Sequence, residues 1–128
     1  MMPGFPIFRQ HDAMDCGPTC LRMIARFYGK NFTIDDLREK SYISREGVSL
    51  LGISDAAEAV GFRSMGVRIT MEQLTKEAPL PCVVHWDQDH FVVLYKASKG
   101  KVYVADPAFG KVDYTEAEFK QHWLATVS

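Results

Sequence analysis

Apolar residues recur with helical spacing in the first half of the chain. One helical face is formed by Leu21, Ile24, Ala25 and Tyr28. This spacing predicts a helix over Cys16 to Tyr28, with Asp15 as its N-cap and Gly29 at its C-terminal end. Two further helices are predicted in this half, one over Thr33 to Lys40 and one over Ser49 to Val60.

The pattern changes in the second half to short runs that are rich in valine and aromatic residues. The predicted strands are 62–69, 82–86, 91–96, 102–105 and 110–114. Thr70 with Gln73, and Thr115 with Glu118, have capping-box spacing, and each pair predicts a short helix. Helices that precede antiparallel strands indicate an α+β fold in which one long helix packs on a sheet.

Composition narrows the class of protein. The chain has 128 residues, a common size for one domain, so residues 1–128 are expected to form a single domain. A net charge of -1 gives no bulk attraction to nucleic acid, and no nucleic-acid partner is predicted. The longest apolar runs are too short to cross a bilayer, and the first residues lack the pattern of a secretory signal.

The chain has three cysteines, an odd number that argues against a disulfide framework. Cys16 would open the first helix, where backbone amides favour the thiolate form of a cysteine. The carboxylate of Asp15 opposes ionisation of a neighbouring thiol, but we expect the helix amides to take it up as an N-cap. Cys20 and Cys82 are expected to be packing residues. A single C-x-x-x-C pair is too little for a zinc site, and no metal or cofactor is predicted.

Of the four histidines, His90 is the expected base because it starts a strand directly after a polar turn. That strand returns through residues 98–100 into the next one, which ends at Asp106 before Pro107. If the hairpin is tight, paired residue numbers should sum to about 196 or 197, and a sum of 196 sets Asp106 directly opposite His90. The carboxylate can then hold one imidazole nitrogen while the other nitrogen faces a sulfur. A slip of one residue would separate the pair.

An oxyanion donor is also needed for acyl transfer, and Gln10 is the candidate, together with the backbone N–H of Cys16. Taken alone, each of these positions has an ordinary structural interpretation. Cys16 fits a buried thiol, His90 a loop histidine, Asp106 a turn residue and Gln10 a surface side chain. The residue pattern by itself therefore leaves a cysteine enzyme and a structural interpretation both open.

Three segments resemble one known family. Residues 10–21, QHDAMDCGPTCL, resemble the opening motif of the bacteriocin-processing, double-glycine-leader cysteine peptidases, which are domains of peptidase-containing ABC transporters. Residues 90–94, HFVVL, and residues 105–107, ADP, resemble the histidine and aspartate motifs of that family. The likeness extends over nearly the whole chain.

The resemblance implies a papain-like fold and a role for each matching residue. Cys16 would attack the carbonyl after a Gly-Gly pair, His90 would transfer the proton, Asp106 would orient His90, and Gln10 would line the oxyanion hole. The implied partners are a precursor peptide with a Gly-Gly leader and, in cis, the transmembrane and ATP-binding domains of a transporter. The resemblance also implies that this is the N-terminal domain of such a transporter, on the cytoplasmic face of the bacterial inner membrane.

Two other functions stay open at this stage, a module that binds a leader without cleaving it and a papain-like acyl transferase. Leaders of the family bind through apolar positions on a helical segment, so an exposed apolar groove is expected. Candidate groove residues are Met14, Tyr42, Leu51 and Met65. Trp86 is a candidate wall of a narrow cleft near the sulfur, or alternatively a core residue.

Overall fold

The computed structural model describes residues 4–10, 13–41, 49–87 and 90–123. Within them the helices are α1 (Cys16–Phe27), α2 (Ile34–Ser41), α3 (Leu50–Ala59), α4 (Met71–Lys76) and α5 (Glu116–His122). The strands are β1 (Cys82–Trp86), β2 (His90–Ser98), β3 (Lys101–Asp106) and β4 (Gly110–Thr115). They form one antiparallel sheet in the order β1-β2-β3-β4, which confirms the α+β prediction.

Local capping explains where several of these helices begin. Thr70 with Gln73, and Thr115 with Glu118, form the two predicted capping boxes, in which the side chain and backbone of each pair bond reciprocally. The hydroxyl of Ser49 accepts a hydrogen bond from the amide of Gly52 and starts α3 in the same way. The predicted positions of these three helix starts are therefore confirmed.

The sheet is covered on both faces. Because side chains alternate along a strand, Phe91 and Val93 pack beneath α1, with Cys20 and Met23 above them. On the opposite face, the strand residues pack against Phe119 of α5 and other apolar side chains. Their buried members are Val84, Trp86, Val92, Leu94, Val102 and Val104. A third cluster, around Leu37, joins α2 and α3 to the outer side of α1. Burial on both faces holds the strands that carry His90 and Asp106 in a fixed layer.

Residues 62–69 were predicted to form a strand, and that prediction is wrong. This segment has no regular secondary structure. The side chain of Ser64 bonds to a helix: its hydroxyl contacts the hydroxyl of Ser54 and donates to the carboxylate of Glu58, both on α3. The segment therefore borders α3, and the sheet ends at β1 on this side.

The predicted hairpin register is also wrong. Ser98 pairs with Lys101, so paired numbers sum to 199 at the turn, and an irregularity between Leu94 and Lys96 lowers the sum to 198. Continuing that pairing by one residue sets Asp106 opposite Val92. His90 and Asp106 are thus diagonal neighbours across the two strands instead of direct partners.

No helix among the described residues is long and apolar enough to span a membrane.

The contribution of the packing of α5 on the sheet to the stability of the fold can be measured by substituting two phenylalanines. The ring of Phe119 is fully buried against Trp86 and Trp123, whereas Phe109 is 75% exposed in the turn between β3 and β4. We expect Phe119→Ala to lower the free energy of unfolding by about 3–5 kcal/mol, because it leaves a cavity in the core. Phe109→Ala should change it by less than about 0.5 kcal/mol. Urea denaturation followed by circular dichroism checks both values, and equal losses would contradict the packing described.

Candidate active site

Cys16 is the first residue of α1 and is only 4% exposed. The first turn of a helix contains amides that lack a partner within the helix, so the sulfur lies beside hydrogen-bond donors. Pro18 falls within this turn, where its missing N–H costs little. The position of Cys16 at a helix start, inferred from the sequence, is confirmed.

His90 connects the sulfur to a carboxylate. Its Nε2 lies 2.7 Å from Oδ1 of Asp106. The imidazole also hydrogen-bonds with Cys16. Since Nε2 is taken by the carboxylate, Nδ1 is the nitrogen that remains for the sulfur. The predicted contact between His90 and Asp106 therefore forms although the predicted register does not, and it continues to Cys16.

The carboxylate of Asp106 is fixed on more than one side. Asp106 is the last residue of β3 and is buried. Its Oδ1 also accepts a hydrogen bond of 2.8 Å from the amide of Ala108, and its carbonyl accepts one from the amide of Phe109. This tight turn holds the carboxylate in place, so the ring of His90 is oriented by a rigid partner.

The electrostatic balance at His90 favours its protonated form. Burial alone would lower the pKa of the imidazole, but the hydrogen bonds to Asp106 and Cys16 outweigh it and raise the pKa to about 9. At neutral pH the ring is therefore an imidazolium. An imidazolium beside a cysteine favours the thiolate, which is the nucleophilic form.

Gln10 reaches the same region from the N-terminal segment. Its backbone N–H donates to the carbonyl of Pro107 at 2.9 Å, which ties this segment to the turn that follows Asp106. The Oε1 atom of its side chain is buried. Cys16, His90 and Asp106 thus form one hydrogen-bonded chain, and Gln10 is anchored one residue from Asp106. Its role as an oxyanion donor stays a prediction.

Asp15 does not act as the predicted N-cap. Its carboxylate makes no capping hydrogen bond to the amides of α1. Instead, Nε of Arg38 donates to its Oδ1 at 2.7 Å, and Nη2 of the same guanidinium bonds to Oδ2. An arginine fork matches the two oxygens of a carboxylate better than the amides at a helix start do. The sequence did not predict Arg38 as the partner of Asp15, because no motif connects α2 with the start of α1.

The other thiols are less suited to nucleophilic chemistry. Cys20 is completely buried, and burial raises the pKa of its thiol well above the usual value. Its Sγ donates to the carbonyl of Phe91 at 3.2 Å. Burial also raises the pKa of Cys82, to about 12. The prediction that both are packing residues agrees with these positions.

The remaining described histidines have other neighbours. His85 stacks on Phe91, with ring centroids 4.9 Å apart. His122 lies at the end of α5, where its Nδ1 is 2.9 Å from the carboxylate of Asp87 and its ring stacks on Trp86. Trp86 is buried in the core beneath α5, so the structure supports the core alternative for this residue.

An apolar cavity of about 750 Å³ lies between α1, α3, the segment after α3 and the start of β1. Its lining includes Leu51 and Met65, two of the predicted groove residues, and both are highly exposed. Met14 is half-buried and does not belong to this lining, and Tyr42 falls outside the described residues. The apolar groove expected from the sequence is thus bordered by two helices, by the segment after α3 and by the start of β1.

The chain was compared with known proteins. The model of the Peptidase C39 family matches residues 4–127. The lactococcin-G-processing and transport ATP-binding protein LagD of Lactococcus lactis subsp. lactis is 37% identical over 126 residues, which cover 94% of this chain and 18% of that protein. The chain thus spans less than a fifth of the length of the first curated transporters it matches.

Two solved structures share the fold. A double-glycine motif protease from an AMS/PCAT transporter, crystallised in complex with the leader peptide, has a TM-score of 0.90 and 33% identity, over 94% of this chain and 86% of that one. The peptidase domain of Streptococcus ComA, a bi-functional ABC transporter, has a TM-score of 0.89 and 27% identity, over 95% and 94%. These likenesses confirm the predicted papain-like fold.

The contribution of Asp106 to the protonation of His90 can be tested by substitution. In Asp106→Asn an uncharged amide replaces the carboxylate, so the pKa of His90 should fall from about 9 toward its ordinary value. Titration of the imidazole by NMR measures this change. Asp113→Asn is the matched control, because Asp113 is an exposed carboxylate that pairs with Lys101. An equal pKa in Asp106→Asn and the wild type would contradict the assignment.

Proposed function

The chain belongs to the peptidase C39 family, and we propose that it is a cysteine endopeptidase that cleaves a secreted precursor peptide after the Gly-Gly pair of its leader. The observation that carries this proposal is the hydrogen-bonded chain from Cys16 through His90 to Asp106. A thiolate, a proton carrier and an orienting carboxylate are the groups that acyl transfer from a peptide requires.

The reaction proceeds in two stages. The sulfur of Cys16 attacks the carbonyl carbon of the second glycine, and the oxyanion accepts hydrogen bonds from the Cys16 amide and the Gln10 side chain. His90 then donates its proton from Nδ1 to the leaving amine as the C–N bond breaks, which leaves a thioester on Cys16. Water, deprotonated by His90, attacks the thioester, and the leader is released as a carboxylic acid while Cys16 regains its starting form.

Asp106 serves this proton transfer without exchanging a proton itself. Its carboxylate accepts from Nε2 of His90 and so keeps Nδ1 directed to the sulfur. It also stabilises the imidazolium that exists before the leaving group departs. Its own bond to the amide of Ala108 limits its rotation, so the ring stays aligned through both stages.

The low exposure of the nucleophile supports a glycine-specific cleavage site. Cys16 is 4% exposed, so a substrate must bring its backbone close to a nucleophile that is almost completely buried. Glycine has no Cβ and permits such an approach, whereas a larger side chain on either side of the reacting carbonyl would meet the surrounding wall. Two consecutive glycines therefore suit this nucleophile.

The apolar cavity is the proposed binding site for the leader. Leu51 and Met65 present exposed apolar surface there, with Tyr28 and Phe62 beside them. A groove of this kind accepts the apolar face of an amphipathic helix. The double-glycine motif protease with the same fold was crystallised with a leader peptide, which supports the same class of ligand here.

The relatives also suggest a wider context. LagD is named as an ATP-binding protein for processing and transport, and the chain matches 18% of its length. We propose that the chain is the N-terminal peptidase domain of such a transporter, whose transmembrane and ATP-binding domains act in cis. In that arrangement the domain works on the cytoplasmic face of the bacterial inner membrane, before the cargo peptide is exported.

Cleavage can be tested with a peptide that carries a leader, a Gly-Gly junction and a short cargo. The wild-type protein should release the cargo after the second glycine, as measured by mass spectrometry. Cys16→Ala and His90→Ala should each lower kcat/KM by at least about 10³-fold, because they remove the nucleophile or the proton carrier. His122→Ala is the matched control and should retain turnover, since His122 pairs with Asp87 away from the sulfur.

The other outcomes of this assay distinguish the alternatives. Binding of the cognate leader with no cleavage by the wild type would favour a leader-binding module. An adduct between the leader and an added amine, in place of the free acid, would favour an acyl transferase. Loss of turnover in a folded His122→Ala variant, with turnover kept in His90→Ala, would show that the base is misassigned.

Leader binding at the apolar cavity can be tested separately from cleavage. Leu51 is 71% exposed and lines the cavity, so Leu51→Asp should raise KM for a full-length leader about tenfold or more with little change in kcat. The same variant should cleave a short junction peptide like the wild type, because that peptide does not reach the groove. Ala59→Asp adds the same charge to an exposed position on the same helix and is the control. Equal effects of both variants would argue against leader binding at this cavity.

A further inference from the structure

The residue directly before the nucleophile is a buried carboxylate. Asp15 is 1% exposed and ends a short turn, Ala13–Asp15, that leads into α1. Its side chain makes no capping hydrogen bond to the helix. A negative charge next to a sulfur opposes a second negative charge on that sulfur, so an uncompensated Asp15 would work against the thiolate.

Arg38 compensates this charge from another helix. Its Nε and Nη2 bond to the two carboxylate oxygens of Asp15, with a distance of 2.7 Å between Nε and Oδ1. Its Nη1 also bonds to the exposed carboxylate of Asp35 at 3.0 Å. The hydrogen bond to Asp15 raises the pKa of the Arg38 guanidinium above its already high usual value. Arg38 therefore keeps its positive charge at every pH relevant to the reaction.

We propose that Arg38 is a positioning residue for the reaction, which neutralises the Asp15 carboxylate and thereby keeps Cys16 in its reactive thiolate form. This inference rests on the proposed role of Cys16 as the nucleophile. Arg38 acts through Asp15 and does not touch the substrate.

The other described groups around Cys16 complete the charge balance. His90 approaches from β2 as an imidazolium, and Asp106 stands behind it on β3. Cys20 follows one turn later on α1 and stays neutral because burial raises its pKa. The imidazolium is thus partly balanced by Asp106, and an unpaired Asp15 would add an excess negative charge to this group. Arg38 removes that excess.

The test measures how fast iodoacetamide alkylates Cys16 as a function of pH, with the modified peptide quantified by mass spectrometry. Arg38→Gln should slow alkylation of Cys16 at neutral pH on the order of tenfold, and its rate profile should move to higher pH. The double variant Asp15→Asn with Arg38→Gln removes both charges and should restore the rate toward that of the wild type. Asp35→Asn removes only the exposed partner of Arg38 and is the matched control.

Three results would overturn the proposal. They are a wild-type profile in folded Arg38→Gln, a double variant that stays as slow as Arg38→Gln, and slower alkylation in Asp15→Asn with Arg38 intact. Asp15→Asn keeps the test decisive if Arg38→Gln fails to fold, because removal of the carboxylate should leave alkylation at least as fast as in the wild type. Alkylation needs no peptide substrate, so this result is separate from whether the chain cleaves a leader.

Discussion

The packing of α1 against the middle of the sheet determines where the sulfur meets the imidazole. Cys20, one turn after Cys16, bonds through Sγ to the carbonyl of Phe91, the residue after His90. The helix that carries Cys16 and the strand that carries His90 are therefore joined one step away from the contact between these two side chains. The buried neighbours Val93 and Ala105 continue this contact onto β3, which ends at Asp106. A shift of the helix on the sheet would move Cys16 relative to both His90 and Asp106.

The contact between His90 and Asp106 was predicted correctly, although the register predicted for the hairpin between β2 and β3 was wrong. The prediction assumed a turn over residues 98–100, whereas Lys99 and Gly100 alone form it, both with positive φ values that suit a two-residue turn. An irregularity around Tyr95 then shifts the pairing by one residue. No pattern in the sequence predicts such a shift in register. His90 and Asp106 still meet, because a diagonal pair on adjacent strands is within reach of an imidazole.

Features set by local sequence were predicted more reliably than those set by distant contacts. The capping boxes at Thr70 and Thr115 depend on residues three positions apart, and the sequence identified both. Residues 62–69 have strand-like composition, but they do not pair with β1, the edge strand of the sheet, and the hydroxyl of Ser64 bonds to α3 instead. The partner of Asp15 is 23 residues away on α2. The motif around Cys16 predicted this residue as the nucleophile, but the arginine that pairs with the carboxylate beside it is visible only in the folded chain.

The site contains two buried carboxylates, and each is paired with a different kind of cation. Asp106 pairs with His90, which in the proposed reaction loses and regains a proton in each cycle. Asp15 pairs with Arg38, whose guanidinium does not release a proton in this range of pH. If one titrating group neutralised both carboxylates, each proton transfer would also change the background charge at the sulfur. With separate partners, the proton transfer proposed for His90 leaves the charge directly before Cys16 unchanged, because Arg38 neutralises Asp15 throughout the cycle.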